Sequence, residues 1–153
     1  MKILATIEGF PITINDDGSI SFSANGRIDG DGSGSSHGDP DFQADTSLHH
    51  ANGQALNADL ESYCVVPPQI IMGVPGIVLG CKGQITYQGT TISAVVGDIG
   101  PHSKLGEMSI AAAAALGIPS SPTTGGIEGQ GPGVHYQLWP GVAADGYNLQ
   151  ASN

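Results

Sequence analysis

Basic residues are scarce in this 153-residue chain: four Lys and Arg stand against fourteen Asp and Glu, for a formal charge of −10. A chain so short of cations has little with which to neutralise phosphates, which excludes nucleic acid as a partner. Its field suits a cationic ligand instead. Charged residues make up only 12% of the chain against 39% hydrophobic. That balance excludes a disordered chain and indicates one globular domain over residues 1–153, with a core that needs no staples. No apolar run is long enough to cross a membrane. Cys64 and Cys81 are the only cysteines, too few to report a redox compartment; a bridge between them and two buried free thiols both fit. Internal repeats, coiled-coil periodicity and linker composition are absent. Met1–Glu8 is too short and too quickly interrupted to be a signal peptide. The expectation is a monomer that acts outside the cell after leaving by another route, by lysis, or with its leader removed.

Glycine and proline are abundant, at 24 and 10 residues, which signals many turns between short strands. Strand character is found at 3–7 and 10–14, and Asn15–Gly18 forms a hairpin turn before the alternating segment 19–23. Residues 25–53 are rich in Gly, Asp and Ser and read as a long ordered loop. Further strands are expected from Cys64, at 70–72, 76–82, 84–87 and 91–97, and a closing strand at 135–139. Helical signal is confined to about 108–116, with Gly117 as a cap and Pro119 as a stop. The expected class is mainly β: a small closed barrel of six or more short strands, one short helix and long decorated loops.

Residues 94–118 carry the strongest chemical signal. A β-branched run ends at Asp98, and a loop holding Gly100, Pro101 and Gly106 leads to Glu107 in the first turn of the expected helix. Two carboxyl groups on rigid elements are what acid/base hydrolysis of a glycosidic bond requires. Acids also end strands and open helices for structural reasons. Gly97, Gly100 and Gly106 favour the chemical reading by leaving both groups accessible. A helix start would, however, lower the pKa of Glu107, whereas a general acid must keep its proton. Lys104, between the two acids, could hold one of them ionised.

A second cluster lies upstream. Seven acids and no Lys or Arg occur between Asp29 and Glu61, a grouping that suits a groove for a cationic ligand. Asp29, Asp31, Asp39, Asp45 and Thr46 are the candidate substrate contacts. Asp29-x-Asp31-x-Ser33-Gly34 matches the opening of a calcium loop, but Pro40 occupies the position of the bidentate glutamate, so the match fails. His37, His49, His50, His102 and His135 lack zinc-ligand spacing. No Gly-x-Ser-x-Gly elbow is present. Metal and cofactor are therefore not expected. Tyr136 and Trp139 fit either core packing or stacking on a sugar ring.

Val95–Ala111, with Asp98, Lys104, Glu107 and Ser109 at their positions, resembles the catalytic motif of glycoside hydrolase family 75, the endo-acting chitosanases of fungi, bacteria and some viruses. The segments around Ile28–Gly32, Asp39–Pro40, Gln43–Ser47, Tyr63–Pro68 and Gly126–Gly141 are similar to that family as well. The resemblance implies a six-stranded double-psi β-barrel and inverting hydrolysis of β-1,4 linkages in chitosan. It places Asp98 and Glu107 as the two catalytic carboxylates; Glu107 is taken as acid and Asp98 as base, and the reverse assignment stays open. Two other readings stay open: a muramidase or transglycosylase acting on peptidoglycan, and a non-catalytic carbohydrate-binding or phage structural barrel.

Overall fold

The computed structural model describes residues 1–127 and 133–150. Strands β1 (Lys2–Ile7) and β2 (Phe10–Ile14) form an antiparallel hairpin through Glu8-Gly9, both at positive φ (55° and 82°), as a two-residue hairpin turn demands. Asn15–Gly18 then turns the chain into β3 (Ile20–Ala24). After only Asn25 and Gly26, β4 (Arg27–Asp29) begins. The remaining strands are β5 (Tyr63–Val66), β6 (Cys81–Tyr87), β7 (Thr90–Ile99), β8 (Glu107–Ser109) and β9 (Val134–Ala143).

The nine strands form one sheet in the order β1-β2-β3-β9-β6-β7-β5-β8-β4. Pairs β5–β7 and β4–β8 are parallel and the others antiparallel. Segments 20–24 and 27–29 pair with different partners, β9 and β8, so the sheet must curl to serve both. The mainly-β expectation holds, with nine strands among the described residues in a curled sheet rather than six.

Two cores stabilise it. The larger fills the curl with Ile12, Ile20, Phe22, Ile85, Met108, Tyr136 and Leu138 among others. Tyr136 stacks on Phe22 at 4.9 Å and donates its hydroxyl to the Asn25 carbonyl at 2.8 Å, so it is a core residue. Trp139 lies under the Lys82 ammonium at 5.1 Å. The smaller core gathers Leu48, Leu56, Ala58, Tyr63, Val65 and Val95 beneath the acid-rich excursion. Burying Leu56 fully is worth about 1.5–3 kcal/mol, enough to fix a polar loop against the sheet.

Several local expectations change. Residues 70–72 lie in helix α1 (Pro68–Gly73), because Pro67 and Pro68 supply an extended N-cap and a preset first helical position. Residues 76–80 are turn and irregular backbone, and the strand starts only at Cys81. Helix α2 (Ile110–Leu116) starts two residues later than its sequence predicts, because the Ser109 hydroxyl is the N-cap, accepting from the Ala112 N–H at 3.3 Å. Gly117, at φ 76°, ends it as expected. Cys64 and Cys81 are both free and buried, and burial pushes the Cys64 thiol up to about 12. No helix among the described residues is long and apolar enough to cross a membrane. Residues 128–132 of the Gly126–Gly141 tail lie outside the described residues.

Candidate active site

Glu107 and Asp98 sit in one row across the sheet, on strands β8 and β7 that flank β5. Val65 pairs with Glu107 of β8 on one side and with Asp98 of β7 on the other, and Glu107 pairs in turn with Arg27 of β4. Partners in register share a face, so the row Arg27–Glu107–Val65–Asp98 presents its side chains together. Two interstrand steps of roughly 4.8 Å place the two acidic Cα atoms about 9–10 Å apart.

A β-bulge puts Asp98 on that face. The β5–β7 register runs Tyr63↔Val95, Cys64↔Val96 and then Val65↔Asp98, skipping Gly97. Without the extra residue, position 97 would face the cleft and Asp98 would turn away. Gly97 tolerates no side chain there: a Cβ would lie 2.7 Å from Tyr63 Cβ and 2.8 Å from Leu56 Cδ1. Gly100 leaves room for the Glu107 carboxyl itself, whose Oε1 would be 3.0 Å from an added Cβ. Gly106, at φ 88°, lets the backbone pass against Asn25. The three glycines thus serve close packing around the carboxylates rather than ligand access alone.

The two acids have different surroundings. Asp98 is 6% exposed, and its Oδ1 accepts from the Ser47 N–H (3.0 Å), the Ser47 hydroxyl (2.7 Å) and the Ile99 N–H (3.1 Å). No donor reaches the Glu107 carboxyl among the described residues. Burial raises its pKa above the usual carboxylate range, with Asp98 and Glu8 adding to the rise and Lys104 and Arg27 opposing it. Glu107 is a strand residue and not part of the α2 first turn. The helix dipole therefore does not set its proton affinity.

Asp29 and Asp31 join Asp98. One carboxylate oxygen from each lies within 4.8 Å of the others. Burial pushes Asp29 up to about 9, helped by the Asp31 and Asp98 charges and opposed by the Asp31 N–H it accepts at 2.8 Å. Asp31 rises to about 6, again chiefly by burial and then through Asp98. Protons shared in the trio relieve repulsion between like charges. Among the described residues these are the oxygens placed closely enough for a hard cation such as calcium to bridge.

All eight residues singled out in the sequence line one open cleft of about 720 Å³. Seven carboxyl side chains and two basic ones, Arg27 and Lys104, are in its wall. Asp39, partly buried, and Asp45, exposed, form the rim, where Asp45 meets His49 Nε2 at 2.6 Å. Thr46 is a correction: it is buried, and its hydroxyl donates to the Leu48 carbonyl (2.7 Å) and accepts from the Leu56 N–H (2.9 Å). It braces the loop and is not free to contact substrate. Lys104 is exposed, with no carboxylate within ion-pair distance among the described residues, so it acts on Glu107 only through its field. Sequence reasoning did not single out Ser47, which it met only as the end of the Gln43–Ser47 segment, and it missed Arg27, whose signal was its rarity as one of four bases.

No family model matches the chain, and no curated protein does. Among solved structures it is similar to the Streptomyces papain inhibitor (SPI), with 16% identity over 77% of this chain and 93% of that one, and a TM-score of 0.45.

Proposed function

We propose that this protein is an endo-acting glycoside hydrolase that cleaves β-1,4 linkages of chitosan with inversion, in the manner of family 75. The observation that carries the reading is the row in which Val65 has Glu107 on one side and Asp98 on the other, facing an acidic cleft. Inverting enzymes hold their carboxyl groups roughly 6.5–9.5 Å apart to admit a water, and a two-strand separation suits that span. Glu107, whose hold on its proton burial strengthens, gives that proton to the glycosidic oxygen as the C1–O bond breaks. Water attacks C1 from the opposite face, and its proton passes to Asp98 through Oδ2, since Oδ1 is held by Ser47 and Ile99. Exchange with solvent restores both groups. Protonated amines of the polymer lie along Asp39, Asp41 and Asp45, where one sign of charge concentrates the ligand.

The same reading takes the curled sheet as an elaborated double-psi barrel. The parallel contacts β4–β8 and β5–β7, and the two-residue gap between β3 and β4, support closure through the segment 20–29, with the β1–β2 hairpin added outside. A non-catalytic barrel predicts acids tied up in ion pairs. Neither Asp98 nor Glu107 has one within 4.0 Å among the described residues, which favours the enzyme.

The test is release of reducing ends from chitosan, with peptidoglycan and chitin beside it, and the product anomer read by NMR. Product of inverted configuration, lost in Glu107→Gln and Asp98→Asn, supports the proposal. Clearing of peptidoglycan with chitosan intact, or equal activity in Glu107→Gln, overturns it.

A further inference from the structure

The β1–β2 hairpin is surplus to the strands that carry the cleft, yet its tip reaches the cleft wall. Glu8, held at φ 55°, where non-glycine residues are uncommon, accepts from both Arg27 guanidinium nitrogens, Nη1 on Oε1 and Nη2 on Oε2, at 2.6 Å each. Its Oε1 also accepts the Leu105 N–H at 2.8 Å. The Arg27 N–H donates to the Gly106 carbonyl at 2.8 Å. One carboxylate thus binds a hairpin, a strand and the turn that runs directly into Glu107. The pair is only partly exposed, with side chains at 20% and 24%, and bidentate charge-assisted pairs of this kind are the geometrically specific ones.

We propose that Glu8 is a positioning residue for Glu107: by clamping Arg27 and the Leu105 backbone it fixes the turn and strand that carry the catalytic acid. The proposal rests on reading Glu107 as the general acid. Besides its mechanical role, the clamp balances charge. Among the described residues, the charged and titratable groups around Glu107 are Arg27 on β4, Lys104 in the preceding turn, Asp98 on β7, Glu8 on the hairpin, Tyr63 on β5 and Tyr136 on β9. Of these, Glu8 offsets Arg27, which is in register with Glu107.

The experiment compares Glu8→Gln and Arg27→Gln. Both break the same ion pair but remove opposite charges. Titration of the Glu107 side-chain carboxyl by carbon-13 NMR is followed in each, beside the pH–rate profile on chitosan. Glu8→Gln is expected to lower the Glu107 midpoint and the alkaline limb by roughly 0.5–1 pH unit, and Arg27→Gln to raise both. A brace with no bearing on the acid would destabilise both variants while leaving the midpoint in place, or move it the same way in both. Either result overturns the proposal. Arg27→Lys keeps the charge but loses the bidentate fork; it should lower kcat several-fold with KM unchanged, and an unchanged kcat also overturns positioning. Wild-type protein that leaves chitosan intact refutes the hydrolase reading alone, and the NMR midpoints then decide the clamp.

Discussion

Replacing Asp29 by Asn should make the protein more stable, increasingly so as pH rises. Asp29 has an ordinary value of 3.8 when unfolded and is pushed up to about 9 in the fold, chiefly by burial. The folded state therefore holds a proton that the unfolded chain releases. Such a group stabilises fully below pH 3.8, less with each unit above it, and its contribution is lost once pH passes 9. At pH 7 the unfolded chain has gained about three units of free ionisation, or about 4 kcal/mol in its favour. Asparagine does not titrate and can still donate a hydrogen bond to Asp98. Asp31 interacts with Asp29, so its own titration shifts in the variant as well. For a chain of this size about 2–4 °C accompanies each kcal/mol, so Asp29→Asn should melt roughly 8–16 °C above wild type at pH 7. Below about pH 4 the two should coincide. Thermal unfolding followed by circular dichroism from pH 3.5 to 8 measures this directly. A variant no more stable than wild type at pH 7, or a gap that does not widen between pH 5 and 8, would refute proton sharing in the Asp29–Asp31–Asp98 trio. A cation bridging the trio would reverse the sign, with EDTA lowering the wild-type Tm.

Glu107→Gln should cut turnover on chitosan by about 10²–10⁴ while raising the Tm at neutral pH, because burial already disfavours the glutamate charge; loss of activity with loss of fold would count against it. Gly97→Ala forces a methyl against Tyr63 and Leu56 at under 3 Å, so about 1–3 kcal/mol of stability should go, together with most activity as the bulge and Asp98 shift; an unchanged Tm would sink that account. Added salt should raise KM for chitosan several-fold between about 0.05 and 0.3 M, as screening shortens the reach of the rim carboxylates, while a neutral chitin oligosaccharide should respond little; equal salt responses would show that the acids do not meet the amines.

Strands whose alternation is local were legible from the residues. The segments 10–14 and 19–23 lie within one residue of β2 and β3 because each apolar side chain there enters the core beneath. β4 was not legible: three residues set no period, and Arg27–Asp29 is a strand only because β8 comes beside it from eighty residues away. Ile70–Met72 is an apolar run that either element would accept, and the two prolines before it decided for helix. At the site, the acids could be named but not their arrangement. Asp29 and Asp31 face Asp98 because Leu48 and Leu56 bury the far end of their loop against Tyr63 and Val65, a contact that composition cannot foretell.

The placement of Glu107 removes the physical objection that the sequence raised. At a helix start the glutamate would give up its proton to the field of unpaired N–H groups. Ser109 takes the cap position instead, bonding the Glu61 carbonyl at 2.7 Å and accepting the Tyr63 N–H at 3.0 Å. These bonds tie the helix start to β5 and leave Glu107 two residues upstream, on a strand whose peptide groups are already paired. Donors are thus distributed unequally along one row of the sheet. Asp98 receives three on one oxygen, and the Glu107 carboxyl receives none among the described residues. Such an asymmetry gives two chemically similar carboxyl groups different surroundings. On the reading proposed above, the acid and base roles rest on where the N–H and O–H groups point, and exchanging Ser47 for Ala should slow turnover by taking one donor from Asp98.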